Sequence, residues 1–146
     1  MQKCGRIIPN GISIHYNPYQ SEKENNHFYS ALVSFETIEE ANNARQILNY
    51  TEFDNIPINI TLADPETNQI RISGKGFINV QLYNSSIKAA ELEKIFSKYG
   101  EVIFCSIKGQ SNYRNGMVQF RENKNARRAV QELSGQEING KKFICV

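Results

Sequence analysis

Residues 113–120 have the sequence YRNGMVQF, and the alternation within this octapeptide decides the fold. Gly116, Val118 and Phe120 are small or apolar, whereas the positions between them are polar or flexible. Period-two alternation predicts a β-strand with one face against a core and one face open to solvent. The strand is therefore expected to lie in a sheet that is covered on one side.

The same pattern occurs twice in the chain. A shift of 85 positions places residues 31–48 (ALVSFETIEEANNARQIL) over residues 116–133 (GMVQFRENKNARRAVQEL) without a gap. Ala31, Val33 and Phe35 stand over Gly116, Val118 and Phe120, and these inward positions are expected to fill a core in both copies. The chain is therefore predicted to hold two copies of one structural unit.

The second copy predicts the element order β-α-β-β-α-β. FINVQLY at residues 77–83 alternates like a strand, and the stretch at residues 85–100 has one apolar helical stripe. That helix is expected to begin at Ser85 or Ser86 and to end at Gly100. EVIFCSIK, GMVQF and KKFICV are predicted strands, and NKNARRAVQELSG is a predicted helix. The order predicts an α+β fold with two helices on one face of a four-stranded antiparallel sheet.

This unit resembles the RNA recognition motif (RRM) family, whose fold is ferredoxin-like. YRNGMVQF stands where that family carries its ribonucleoprotein-1 octapeptide, and INVQLY at residues 78–83 stands in place of its hexapeptide. LNYTEFDNIPINI at residues 48–60 and ADPETNQIRISGKGFINV at residues 63–80 are most similar to the poly(A)-binding proteins, the second stretch being similar to their linker. The resemblance implies a cytoplasmic or nuclear mRNA-binding protein that binds single-stranded poly(A) or adenine-rich RNA, with a translation-factor partner on its helical face.

The resemblance divides the chain into three segments. Residues 1–63 are expected to be a partial RRM, residues 64–75 a linker and residues 76–146 a complete RRM. Because Gly5 aligns with Gly100, the first copy lacks its first strand and first helix. Either the sequence is a fragment or truncated product, or the half-domain is rebuilt by direct pairing of its strands or by a strand from a partner.

The chain departs from the family at the positions where aromatic rings usually stack on bases. Asn79, Asn115 and Met117 occupy those positions, so RNA binding is expected to rely on amides, basic side chains and the remaining aromatic residues. Residues 71–146 hold thirteen basic and six acidic residues, whereas residues 1–70 hold four and nine. The predicted RNA-binding residues are Arg71, Lys75, Asn79, Gln81, Phe104, Ser106, Lys108, Tyr113, Arg114, Asn115, Met117, Gln119 and Lys142. The alternative is a degenerate RRM that binds a protein partner and has little RNA affinity.

Other functional classes have little support in the sequence. The two histidines have no metal-ligand spacing, and no catalytic constellation is recognisable, so no enzyme activity, metal, cofactor or small-molecule substrate is expected. The three cysteines form no C-x-x-C pair and are expected to be reduced. No signal peptide, membrane anchor or membrane contact is expected from the sequence.

Overall fold

The computed structural model describes residues 4–16, 29–83, 85–110, 112–138 and 140–146. The chain divides into two compact units, residues 1–49 and residues 50–146. The first unit was predicted to end at residue 63, so the observed boundary lies earlier in the chain. Residues 50–63 belong with the second unit because the ring of Tyr50 packs against its hydrophobic core. The backbone N–H of Tyr50 also donates to the carbonyl of Ile58 at 2.8 Å.

The first unit is a strand pair followed by a helix: β1 (Ile7–Tyr16), β2 (Tyr29–Phe35) and α1 (Ile38–Leu48). The two strands pair directly and antiparallel, with an irregularity between Ile7 and Ile12. Helix α1 begins at a capping box. Thr37 Oγ1 accepts from the N–H of Glu40, and the Glu40 carboxylate accepts from the N–H of Thr37, each at 3.2 Å. These bonds satisfy helix N–H groups that would otherwise lack a partner.

Two expectations for the first unit are corrected. Ala31, Val33 and Phe35 were expected to fill a core, but Ala31 is exposed and the other two are only half-buried. The first copy was expected to end by residue 63 in a fourth strand entered within residues 48–60, but residues 50–63 hold only the two-residue strands β3 (Glu52–Phe53) and β4 (Ile56–Pro57), which pair with each other. In the complete copy the last strand pairs with the first, and no strand equivalent to that first one precedes β1 in the described residues. Whether residues 1–63 are an incomplete copy of the same domain stays a prediction.

The second unit contains the predicted β-α-β-β-α-β pattern with short additions. Its sheet has the order β10 (Ile144–Cys145), β5 (Phe77–Tyr83), β7 (Tyr113–Phe120), β6 (Val102–Gln110), with each neighbouring pair antiparallel, and its main helices are α3 (Ala89–Phe96) and α4 (Asn123–Leu133). Helices α3 and α4 pack on one face, which confirms the α+β, RRM-like fold class. The elements are β3 (Glu52–Phe53), β4 (Ile56–Pro57), α2 (Pro65–Ser73), β5 (Phe77–Tyr83), α3 (Ala89–Phe96), β6 (Val102–Gln110), β7 (Tyr113–Phe120), α4 (Asn123–Leu133), β8 (Glu137–Ile138), β9 (Lys141–Lys142) and β10 (Ile144–Cys145).

The hydrophobic core lies between the sheet and helices α3 and α4. Val118 and Phe120 of the octapeptide are fully buried there. Gly116 is glycine for a steric reason, because a Cβ at this position would lie 2.7 Å from Leu92 Cδ2 of α3. The core-facing half of the octapeptide therefore has the role predicted for it.

Two local predictions about this unit are corrected. Helix α3 begins after Lys88, which makes no side-chain cap, rather than at Ser85 or Ser86. Ser85 Oγ instead accepts from the N–H of Ile87 at 3.3 Å, within the turn before the helix. The predicted last strand, KKFICV, is divided, because Lys141–Lys142 pair with β8 while Ile144–Cys145 join the main sheet.

The predicted linker contains helix α2. Asp64 is its N-cap and accepts from the N–H of Thr67 at 2.9 Å, and Pro65 occupies the first turn. Gly74 ends the helix in the left-handed conformation, with φ of +66°. The segment between the two predicted domains is thus an ordered element of the second unit.

Candidate nucleic-acid interface

The sheet face opposite α3 and α4 is organised in rows across strands β5, β7 and β6. The register places Phe77 opposite Gln119 and Gln119 opposite Phe104 in the first row. The next rows are Asn79–Met117–Ser106 and Gln81–Asn115–Lys108, and the last is Tyr83–Tyr113. Strand alternation directs these side chains away from the core. The predicted outward set is therefore brought together on one surface, here called the open face.

Helix α2 covers the first row of the open face. Gln119 is only 1% exposed, although it lies on the side away from the core. Its Nε2 donates to the carbonyls of Ile70 at 2.9 Å and Lys75 at 3.0 Å, one within α2 and one just after it. A buried amide with two partners is satisfied and holds the helix in place. Gln119 is thus bonded to backbone carbonyls rather than presented to a base.

The Phe104 ring is in contact with the Arg71 side chain. The guanidinium carbon of Arg71 lies 4.2 Å from the ring centroid of Phe104, within the range of a cation–π contact. Burial lowers the pKa of the Arg71 guanidinium, so the side chain is partly desolvated where it meets the ring. Two residues predicted to contact RNA therefore contact each other.

Arg121 attaches the start of α2 to the end of β7. Its Nη2 donates to Thr67 Oγ1 at 3.0 Å, and its Nε donates to Glu101 at 2.8 Å. Hydrogen bonding to Glu101 raises the pKa of Arg121, and the bonds from Thr67 lower the pKa of Asp64. Thr67 itself is 1% exposed. The N-cap and this charged group together position the helix over the first row.

Outside the first row, four polar side chains are less covered, although Ser106 in the second row is buried. Asn79 and Lys108 are exposed, and Gln81 and Asn115 are half-buried. Amide groups at this spacing can form paired hydrogen bonds with adenine edges, and a lysine at the margin can contact a phosphate. These four side chains form a polar surface that offers hydrogen-bond donors, acceptors and one positive charge.

The last row is aromatic. The Tyr83 and Tyr113 rings lie with centroids 5.3 Å apart and are tilted by 55°. Tyr83 is 48% exposed and Tyr113 is 52% exposed. The Tyr83 hydroxyl lies 3.3 Å from Gln81 Oε1, to which it donates a hydrogen bond. The pair adjoins the amide surface and leaves aromatic area open to solvent.

Several predicted site residues lie elsewhere or are engaged. Arg114 stands opposite Leu82 in the register, so it lies on the helical side of the sheet. Its Nη2 donates to the carbonyls of Ser85 and Ile87. Lys142 lies in β9, outside the four-stranded sheet. A role for these residues in RNA binding stays a prediction that the geometry does not support.

Two groups outside the predicted contact set lie at this surface. Tyr83 was not among the predicted contacts, although its alternation with Asn79 and Gln81 in FINVQLY places it on the same face. Thr67 and Arg121 were omitted because no local pattern links residues so far apart in the chain. The Asp-Pro start of α2 was a recognisable helix signal.

The described residues contain no cluster of three or more His, Cys, Asp or Glu able to hold a metal ion. Burial raises the pKa of the Cys105 thiol to about 12 and that of Cys145 to about 11, so both stay neutral and unreactive near neutral pH. All three cysteines are free. Among the described helices, none is both long and apolar enough to cross a membrane.

Known proteins are similar in sequence to the second unit. Residues 78–143 match the family model of the RNA recognition motif. Polyadenylate-binding protein 5 of Arabidopsis thaliana is 33% identical over 119 residues, which cover 78% of this chain and 17% of that protein. RNA-binding protein 44 of Mus musculus is 38% identical over 77 residues, covering 52% of this chain and 8% of that protein. The Mip6 RRM3 domain aligns with a TM-score of 0.46 at 15% identity, covering 49% of this chain and 89% of that domain.

The chain spans less than a fifth of the length of the first curated relatives that it matches. The family match covers β5 from Ile78 onward, β6, β7 and helices α3 and α4, and it ends one residue before β10. The similarity to polyadenylate-binding proteins extends over about three quarters of the chain.

Proposed function

The chain carries a divergent RNA recognition motif domain, and from this premise we propose that it binds single-stranded, adenine-rich RNA through the open face of residues 50–146. The observation that carries the proposal is the grouping of Asn79, Gln81, Asn115 and Lys108 on that face, within a region that matches the family model. Homology supports the RNA-binding role in general. The preference for adenine is the finer proposal, and it rests on similarity to polyadenylate-binding proteins and on the amides.

The electrostatics support a polyanionic ligand. The second unit, residues 50–146, holds thirteen basic and ten acidic residues, a net charge of +3, and all thirteen basic residues lie within residues 71–146. A basic domain of this size attracts nucleic acid by contacts with phosphates, and such contacts weaken as salt rises. Lys108 lies at the margin of the amide surface on β6, which is an edge strand of the sheet.

The affinity is expected to be lower than in relatives with aromatic residues at the signature positions. Each stacked base contributes about 1 to 3 kcal/mol. Asn79, Asn115 and Met117 cannot provide that stacking. Binding therefore depends more on hydrogen bonds, charge and the aromatic rings elsewhere on the face.

The proposal is tested by titrating the chain with labelled oligo(A), oligo(U) and an unrelated polyanion of equal charge. Fluorescence anisotropy at two salt concentrations between about 50 and 200 mM gives the salt slope. Tighter binding of oligo(A), with affinity that falls steeply with salt, supports the proposal. Binding to oligo(A) no tighter than to the polyanion would contradict it.

A matched pair of lysine variants places the contact on one side of the sheet. Lys108 is exposed on the open face, and Lys98 is exposed just after helix α3. Lys108→Ala is expected to reduce the salt slope by about one, the share of one phosphate contact. Lys98→Ala is the control and is expected to leave the slope unchanged.

The second candidate function is a protein-interaction module. The observation that favours it is that α2 covers the Phe104 end of the open face. In that case a protein partner, such as a translation factor, would bind the helical side, and Asn79→Ala would leave RNA affinity unchanged. We also propose that the protein is located in the cytoplasm, with the nucleus as a second location.

A further inference from the structure

The open face has two ends that differ in coverage. At one end, Gln119 is buried under α2 and the Phe104 ring is in contact with Arg71. At the other end lies the pair of Tyr83 and Tyr113. Strand β5 runs from one end to the other, from Phe77 to Tyr83, and a strand rises about 3.3 Å per residue. The tyrosine pair is therefore well separated from the helix.

The tyrosine pair has the geometry of a stacking surface. A tilted pair with centroids 5.3 Å apart leaves ring area uncovered, and each residue keeps about half of its surface exposed. Tyrosine combines an apolar ring with a polar hydroxyl, which suits contact with a base that is partly solvated. Stacking tolerates every base because each base has a π-face.

The neighbouring row supplies hydrogen-bonding groups. Gln81 lies two residues before Tyr83 on β5, and Asn115 lies two residues after Tyr113 on β7. The Tyr83 hydroxyl donates to Gln81 Oε1 at 3.3 Å, which holds this ring beside the amide. A base on the tyrosine rings would thus have amide donors and acceptors within one row of its edge.

We propose that Tyr83 and Tyr113 form a base-stacking site for single-stranded RNA, displaced from the family's signature positions to the end of the sheet away from α2. This inference rests on the proposed RNA-binding function and specifies where its stacking occurs. Two independent observations carry it: the signature positions and Phe104 offer no free ring, and the exposed pair lies beside the amide row.

The test uses the full 146-residue chain. Tyr83→Ala and Tyr113→Ala, alone and combined, are compared with the doubly substituted Tyr83→Phe, Tyr113→Phe chain, which keeps the rings. Phe53→Ala is the matched control, because Phe53 is an exposed aromatic residue in β3, outside the four-stranded sheet. Phe77→Ala tests the exposed ring at the α2 end of the open face. Urea unfolding verifies that each variant is folded.

The double alanine variant is expected to bind oligo(A) about 5- to 150-fold more weakly, the loss of one stacked base. The double phenylalanine variant and Phe53→Ala are expected to stay within about threefold of the wild type, since stacking at the tyrosine end is retained. Because the chain has no tryptophan, oligo(A) should also quench tyrosine emission, and this quench should shrink in each single variant.

The outcomes separate this inference from the proposed function. A wild-type chain that binds oligo(A) no better than a polyanion contradicts the proposed function itself. If the wild type binds oligo(A) and the double alanine variant binds equally well, RNA binding stands and the tyrosine site is wrong. A loss of affinity in Phe77→Ala with none in the tyrosine variants would place the stacking at the opposite end.

Discussion

Two buried polar side chains on the open face show how a single residue determines local stability. Gln119 donates to two carbonyls, whereas Ser106 Oγ is buried and has no hydrogen-bond partner among the described residues. A buried polar atom without a partner costs free energy, and a satisfied one does not. The two residues therefore respond in opposite ways to removal of their polar group.

Ser106→Ala is expected to leave the free energy of unfolding unchanged or to raise it by up to about 1 kcal/mol, because an unsatisfied hydroxyl is removed. Ser134→Ala is the matched control. Ser134 Oγ accepts from the N–H of Cys145 at 3.3 Å and donates to its carbonyl at 3.4 Å. That variant should lose about 0.5 to 1.5 kcal/mol in urea unfolding. A larger loss at Ser106 than at Ser134 would contradict this interpretation.

Gln119→Met is expected to lower the free energy of unfolding by about 1 to 3 kcal/mol, since the carbonyls of Ile70 and Lys75 lose the bonds from Gln119, although Ser73 Oγ still donates to Ile70. Hydrogen exchange should show faster opening of α2 in particular. The control is Gln131→Met on α4, where the glutamine is exposed. Equal exchange in α2 of both variants would show that Gln119 does not hold the helix.

Cys105 predicts a pH dependence of stability. Burial raises its pKa from 9.0 to about 12, so the thiol is neutral in both folded and unfolded chains below pH 9. Between pH 9 and about 12 only the unfolded chain releases this proton, and the free energy of unfolding falls as pH rises. Cys105→Ala should show a shallower decline in urea unfolding over that range. Equal slopes in the two proteins would contradict the assignment.

At the scale of elements, helix α2 is the main addition to what the sequence predicts. Residues 64–75 were predicted as a linker because they resemble one, yet Asp64, Pro65 and Gly74 are helix start and stop signals. The position of α2 over β7 was not predictable, since it depends on contacts such as Arg121 with Thr67, 54 positions apart. Local patterns identify helices more readily than their packing partners.

Two glycines between α2 and β5, Gly74 and Gly76, differ in how closely other atoms approach them. Both Gly74 and Gly76 have positive φ, but a Cβ on Gly76 would lie 2.3 Å from the Phe120 carbonyl oxygen, while Gly74 has open space. Gly74→Ala is expected to cost about 1 to 2 kcal/mol for the left-handed conformation. Gly76→Ala should cost a further 1 to 3 kcal/mol, roughly, for the clash. Thermal unfolding of both variants measures the difference, and equal costs would contradict the close approach.

At the scale of the whole molecule, the sequence predicted the second unit better than the first. Period-two and helical patterns were sufficient to predict β5, α4 and the direction of the open-face side chains. These elements share one hydrophobic core, so their apolar positions report which side is buried. In the first unit Leu32 and Ile14 are 46% and 72% exposed, so the apolar pattern there does not report burial. Pattern alone also did not show that Gln119 and Phe104 are engaged by α2, which is a tertiary effect.

The central claim is that the open face of residues 50–146 binds single-stranded RNA. The most direct measurement is an NMR titration of the isotope-labelled chain with oligo(A), following the side-chain NH2 signals of Asn79, Gln81 and Asn115. We expect these signals, and the backbone amides of β5 and β7, to shift with a common affinity that weakens with salt. Shifts confined to α3 and α4, or no shifts under conditions where oligo(A) is in large excess, would contradict it.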